Sequence, residues 1–423
     1  MFYGWVIVGI AFVTMALSVT ARTSFSLLLP PMLEEFSWDR AQVAGAFSFG
    51  FFCSALVSPW AGKWMDRQGP RPVITLGAAM MCAGLFLSTR IEQLWELYLT
   101  LGLLVGVGAN LMSYTAQSQY LPNWFVRKRG LAISIAFSGV GLGSILILPW
   151  LQQVILLDGW RQACLWMAAM LMLIALPLNR FVRRKPEDMG LLPDGDIQSA
   201  EDLAGKAPLS SHYIVDEAWA SKDWTVGAAL QTSRFWWICG GFFCALVAWY
   251  AVQVHQTKYL LELGFDPSIA AWALGWVSVV AIPGQILLGA VSDRIGREAV
   301  WSIGCLGFAI CYLALLMLEH SEWTGWLTVM VLSQGFLGYS LTSVMGAMVA
   351  ELFQGKHFAA IFGLINIALL GGGAFGPWLA GWIHDQQGSY RSAFMICIAA
   401  CLFSSYAIFR ASPGKVRRVR KAY

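Results

Sequence analysis

Apolar residues run along this chain in long blocks, and polar residues are confined to the gaps between them. Reading each block between charged or Pro/Gly punctuation predicts twelve helices, at 4–30, 41–62, 72–90, 94–121, 129–157, 160–180, 235–262, 268–292, 299–319, 325–352, 357–383 and 390–411. An α-helix needs about 20 such residues to cross the hydrocarbon core of a bilayer, and each block is near that length. Between the sixth and seventh blocks lies a polar stretch with Arg183, Arg184, Lys185, Pro186, Gly190, Pro193 and Gly195. The pattern predicts an all-α membrane protein with twelve transmembrane helices in two pseudo-symmetric six-helix bundles. The bundles are expected at 1–180 and 235–411, with a linker at 181–234 and a basic tail at 412–423. Residues 225–231 are expected to form a short interfacial helix.

The two halves repeat each other. Gly62, Asp66, Arg67 and Gly69 recur 227 residues later as Gly289, Asp293, Arg294 and Gly296. Pro149-Trp150-Leu151 recurs 228 residues later as Pro377-Trp378-Leu379, and Phe125 maps onto Phe353 at the same offset. A parallel six-helix repeat is the pattern of a two-lobed transporter with its site between the lobes.

Composition agrees with a membrane solvent. Hydrophobic residues make up 58% of the chain and charged residues 12%, against about 25% charged in a soluble domain. The 21 tryptophans and 12 tyrosines suit two aromatic belts. Of the 28 lysines and arginines, all but Arg22, Arg40, Arg90, Arg161, Lys258 and Arg391 fall on one side of the predicted membrane, which places both termini and the central loop in the cytoplasm. The expected location is therefore a plasma membrane, with the chain crossing it many times. The net charge of +4 is explained by this topology and does not indicate nucleic-acid binding. The run Lys415 to Lys421 is a topology signal that also suits anionic lipid headgroups. The nine cysteines lie in apolar segments without a C-x-x-C pair, and Cys397 and Cys401 share a helical face as packing residues. The start Met1-Phe2-Tyr3-Gly4-Trp5 lacks a basic leader and reads as a retained first helix. There is no phosphate-cradling loop, nucleophile elbow or metal cluster. The chain therefore reads as a non-enzyme without cofactor or metal, driven by an ion or substrate gradient and working as a monomer.

Arg22 stands alone inside the first apolar run. A charge at helix-centre depth costs roughly 2.5–3.5 kcal/mol on insertion scales, so an intramembrane arginine signals function. It is the expected anchor for an anionic substrate, through a charge-assisted hydrogen bond; the bland alternative is snorkelling to the outer interface. By depth, Asn110, Tyr114, Gln117, Tyr250, Tyr339 and Asn366 are expected to add neutral hydrogen bonds and shape, with interhelical glue as the competing role. His255 is the proton-coupling candidate, because imidazole titrates near physiological pH. Glu351 is read as a gate or topology partner at the inner end of its helix.

Gly62-x-x-x-Asp66-Arg67-x-Gly69-x-Arg71 resembles the loop signature of the major facilitator superfamily, and Gly289 to Arg297 repeats it. Glycine lets two helix ends approach, and aspartate can face a helix N-terminus. These residues, together with Arg127, are expected to form a conformational gate. Trp124-Phe125-Val126-Arg127-Lys128-Arg129-Gly130-Leu131-Ala132, with Gly4-Trp5 and Pro186 to Gly195, resembles the monocarboxylate-porter and oxalate/formate-antiporter branch, in its bacterial members. The chain departs from that branch at Ser134, where glycine is usual. Ser278 and Ile282 stand where animal porters pair an aspartate with an arginine in helix 8, and Arg22 falls within one residue of a helix 1 lysine of those porters. The resemblance implies secondary transport of a small organic anion, a monocarboxylate first, by alternating access with proton symport. Anion exchange, efflux of amphipathic compounds and a non-transporting sensor are the alternatives.

Overall fold

The computed structural model describes residues 2–38, 40–195, 214–320, 323–411 and 413–416. Within them the chain is helical, in twelve long helices. They are α1 (Tyr3–Phe36), α2 (Arg40–Gln68), α3 (Pro70–Ser88), α4 (Leu94–Asn123), α5 (Arg129–Asp158), α6 (Trp160–Asn179), α7 (Ser233–Glu262), α8 (Pro267–Ile295), α9 (Arg297–Leu318), α10 (Gly325–Phe353), α11 (Phe358–Gln387) and α12 (Arg391–Ala411). Among the described residues, eleven are long and apolar enough to cross a membrane. The twelfth, α2, has 29 residues, and its apolar content is diluted by glycine, serine and charged residues at its ends.

Among the described residues, α1, α4 and α10 are interrupted, and α6 carries a π-helical stretch at Leu171–Ala175. α1 turns at Ser24, whose hydroxyl donates to the Ala21 carbonyl at 2.8 Å, and resumes at Phe25. The resumed segment carries Pro30 and Pro31 and ends at Phe36, six residues beyond the predicted end. α4 contains a π-helical stretch at Tyr98–Val105 and breaks between Asn110 and Tyr114. α10 contains another at Ser333–Gly338 and is interrupted at Tyr339. Leu111 and Tyr339, at equivalent breaks, are 228 residues apart, so the repeat extends to irregular backbone, which in membrane helices accompanies function.

Two compact units form. Unit 1 comprises residues 1–126, 135–198 and 357–366; unit 2 comprises 127–134, 199–356 and 367–423. Each includes the first turns of a helix whose remainder is counted in the other. In unit 1, the Glu35 carboxylate takes both guanidinium nitrogens of Arg161, at 2.7 and 2.6 Å, and the Trp160 indole at 2.8 Å. Arg161 also donates to the Thr89 carbonyl at 3.0 Å, so the far ends of α1, α3 and α6 are tied at one point.

The expected linker is partly docked. Asp194 accepts from the Val126 amide at 3.0 Å and donates its own amide to the Trp124 carbonyl. Residues 196–213 lie outside the described residues, as does the basic tail from Arg417 onward. Beyond the gap, Val226–Leu230 forms the short helix expected at 225–231, with Thr225 as its N-cap. Trp219 donates to the Leu352 carbonyl at 2.8 Å and Val215 to the Val416 carbonyl at 2.9 Å, which fastens this stretch to unit 2.

Candidate functional site

Arg22 lies two residues before the break in α1 and is half-buried. Its guanidinium stands 5.0 Å from the centroid of the Phe51 ring. Among the described residues no carboxylate pairs with it. It lines a cavity of about 20 Å³ with Phe25, Phe47, Phe51 and Ser54. That is space for about one water-sized group beside a cation. The walls come from α1, α2 and α4, and the aromatic rings leave the guanidinium as the dominant polar feature.

Asn110 and Asn366 come together within unit 1. The Ser58 hydroxyl accepts from the Asn110 amide at 2.9 Å and from the Asn366 amide at 2.7 Å. Asn110 also reaches the Ser54 carbonyl at 3.4 Å, and Asn366 accepts from the Thr115 hydroxyl at 3.0 Å. Ser54, Ser58, Asn110 and Asn366 are all buried, so this is a desolvated and satisfied network. Ser54 belongs to it and to the wall of the Arg22 cavity. Sequence reasoning did not single out Ser54, Ser58 or Thr115. The available signal was spacing: Ser58 and Ser54 precede Gly62 by one and two steps of four.

The other candidates have more local roles. Gln117 donates to the Met112 carbonyl at 2.8 Å, which the break in α4 has freed, and accepts from the Tyr120 hydroxyl at 2.5 Å. Tyr114 packs edge-on against Phe137 at 5.0 Å. In unit 2, Tyr339 packs on Trp249 at 4.4 Å, and the Tyr250 ring lies against Gly373. His255 has both ring nitrogens occupied, Nε2 at 2.9 Å from the Pro377 carbonyl and Nδ1 at 3.0 Å from the Tyr390 hydroxyl. A carbonyl can only accept, so Nε2 carries the proton and Nδ1 of the neutral ring accepts from Tyr390. His384 stacks on Tyr390 at 4.2 Å and approaches Glu262 at 3.3 Å.

The repeated motif builds two matching caps. Asp66 accepts from the Ala359 and Ala360 amides at 2.9 and 2.7 Å, the second and third residues of α11. Asp293 accepts from the Gly130 and Leu131 amides at 2.9 and 3.0 Å, the second and third residues of α5. In each case a carboxylate satisfies orphan amides at the positive end of a helix dipole. Glycine is required beside each cap: a Cβ on Gly62 would collide with the Ala359 carbonyl, and one on Gly289 with Ser134. Gly69 and Gly296 take φ of 81° and 101°, which turns the chain directly into α3 and α9. Arg67, Arg71, Arg127 and Arg294 are exposed. Arg71 contributes its carbonyl, which accepts from Asn179 at 2.8 Å.

The caps differ in their backing. Arg297 is buried and pairs with Asp293 at 2.6 Å and Glu351 at 3.0 Å, and it donates to Ser292 at 2.5 Å. In unit 1 the equivalent of Arg297 is Pro70 and that of Glu351 is Asn123. Asp66 lies beyond the predicted span, and burial pushes its carboxyl up to about 6 although two amides, Arg184 and His357 pull it down.

The Major Facilitator Superfamily profile matches residues 11–342 and 238–422. The chain belongs to this superfamily. It is 25% identical over 403 residues to monocarboxylate transporter 13 of Rattus norvegicus, covering 95% of this chain and 87% of the relative. It is 27% identical over 419 residues to monocarboxylate transporter 11 of Mus musculus, covering 96% and 86%. The human organic anion transporter MFSD10 (TETRAN) shares its fold with a TM-score of 0.73 at 14% identity, over 96% of this chain and 99% of that one. The transporter FucP in its outward conformation does so at 0.70 and 15% identity, over 97% and 99%. This chain is thus a Major Facilitator transporter, related at low identity to monocarboxylate transporters, with the twelve-helix fold expected from its sequence.

Proposed function

We propose that this transporter moves a small monocarboxylate across the plasma membrane by alternating access, with Arg22 as the anchor for the carboxylate. One observation carries the reading: a half-buried guanidinium faces an aromatic-walled cavity with no carboxylate partner among the described residues. A carboxylate there would form the charge-assisted pair that the protein leaves unmade. A single cation in a small cavity matches one negative charge, which supports a monoanion over a dianion. The names of the relatives support the same class.

In this reading the Asp66 and Asp293 caps hold and release the starts of α11 and α5 as the two halves, 1–180 and 235–411, change state. Asn110, Tyr114, Gln117, Tyr250, Tyr339 and Asn366 shape the path of the anion. His255 serves proton symport, because a second proton on Nδ1 would reverse its hydrogen bond with Tyr390. Both termini are cytoplasmic, and the monomer is the working unit. The test is uptake of radiolabelled lactate into proteoliposomes at pH 6 and pH 8, with and without preloaded anion. Arg22→Ala should abolish uptake in protein that still inserts, and Arg22→Lys should retain part of it. Wild-type uptake by Arg22→Ala would sink the anchor; stimulation by preloaded anion without pH dependence would replace symport with exchange.

A further inference from the structure

Gly50, Ser54, Ser58, Gly62 and Asp66 follow one another on α2 at intervals of four, which lines them along one winding face. Each meets a neighbour at close range. A Cβ on Gly50 would lie 2.7 Å from the Gly102 carbonyl. The Ser54 hydroxyl shares its single proton between the Gly50 carbonyl at 2.7 Å and the Gly106 carbonyl at 3.2 Å. The Ser58 hydroxyl donates to the Ser54 carbonyl at 2.9 Å and accepts from Asn110 and Asn366. Gly62 lies against the Ala359 carbonyl, and Asp66 caps Ala359 and Ala360. The stripe therefore starts at the wall of the Arg22 cavity and ends at the cap of α11.

Ser58 is the junction. A hydroxyl has one donor and two acceptor sites, and all three are used. One of its partners, Asn366, lies two turns along α11 from the capped amides. The same stripe is only half repeated in unit 2. Gly289 and Asp293 recur, but Ser54 and Ser58 become Ala281 and Gln285, and the Gln285 side-chain oxygen is left without a partner. The hydroxyl pair is present only in the half that carries Arg22.

We propose that Ser58 is the positioning residue through which an anion at Arg22 governs the hold of α2 on the start of α11. The proposal rests on the Arg22 reading. An anion seated beside Ser54 competes for its hydroxyl. The change reaches Ser58 through the Ser54 carbonyl, and reaches α11 through the hydrogen bond to Asn366. Ser58 itself touches no substrate.

The test is hydrogen–deuterium exchange of the segment 357–366 in purified full-length protein, with and without sodium lactate, beside a melting curve for each sample. In wild type, lactate should raise the melting temperature and change exchange in 357–366. Ser58→Ala should speed that exchange about fivefold, the worth of roughly one net hydrogen bond. It should keep the lactate melting shift but lose the exchange response. Ser58→Thr, which retains the hydroxyl, should restore the response. A full exchange response in Ser58→Ala, or none in Ser58→Thr, overturns the role of Ser58 alone. Absence of any lactate melting shift in wild type overturns the Arg22 reading and the coupling with it.

Discussion

Arg297 permits the most quantitative perturbation. Its guanidinium is 1% exposed and holds Asp293, Glu351 and Ser292 together. Arg297→Met keeps the volume and removes the charge. Asp293 would retain its two backbone donors from α5, so the cost falls mainly on Glu351. That carboxylate is 5% exposed, and its second oxygen already lacks a partner. Leaving one member of a buried pair uncompensated costs about 3–5 kcal/mol. Arg129 is also within electrostatic reach of Glu351, which places the cost near the lower figure. For 423 residues, at about 2.1 cal/mol/K of unfolding entropy each, the loss corresponds to a fall in Tm of about 3–4 °C.

Thiol-dye melting curves in detergent suit the measurement, because the nine cysteines are free and most are buried. All variants must be compared at one scan rate, since such melts are kinetic. The decisive variant is Arg297→Met/Glu351→Leu. Replacing both ends of a buried ion pair with apolar groups is often neutral, so the double variant should recover most of the lost Tm. Additive losses, or an Arg297→Met Tm within about 1 °C of wild type, would refute the assignment of Glu351 as the residue that Arg297 neutralises.

The remaining expectations concern the Asp66 cap. Its carboxyl has a pKa of about 6 when capping α11, against about 4 when released into water, so the capped state binds the proton more tightly. The cap should therefore strengthen as pH falls from 7 to 5, by about tenfold in exchange protection of 357–366 after correction for intrinsic rates. Asp66→Asn should abolish that dependence, and a cap that weakens on acidification would show the sign to be wrong. Gly62→Ala forces a Cβ into the Ala359 carbonyl and should reduce transport at least tenfold while the protein still inserts. Proteoliposome uptake, with insertion checked by protease accessibility, decides it; normal turnover would mean that α2 and α11 need not approach so closely.

What could be read from the sequence followed the range of each interaction. Helix number and the internal repeat depend on local hydropathy and spacing, and they survive into the structure. Gly62, Asp66, Gly289 and Asp293 were visible because the motif is duplicated. The donors to the two aspartates were not, because Ala359, Ala360, Gly130 and Leu131 contribute only backbone amides. Ser54, Ser58 and Thr115 were missed for a related reason: neutral hydroxyls in an apolar helix carry no charge or periodicity that separates a network from helix packing. Gln117 shows the same limit. Its depth was legible but its partner was not, because the Met112 carbonyl that its amide occupies is offered by a backbone break in α4.

The duplication also shows where the halves have diverged. Both caps use a carboxylate, two amides of a helix start and a glycine four residues before the acid. Behind Asp293 stands a buried ion-pair cluster, whereas behind Asp66 the corresponding positions are Pro70 and Asn123. A buried guanidinium pairs directly with Asp293 at 2.6 Å, so a fixed cation backs that cap. Asp66 has only its amides and more distant cations, so its charge is set by burial. The half that holds Arg22 and the Ser54–Ser58 pair also holds the cap whose carboxyl burial raises to about 6. If the transport cycle is sensitive to pH on that side of the membrane, Asp66 provides a cause that does not require His255, and the variants Asp66→Asn and His255→Gln separate the two. Loss of the pH dependence of uptake in Asp66→Asn but not in His255→Gln would assign it to the cap.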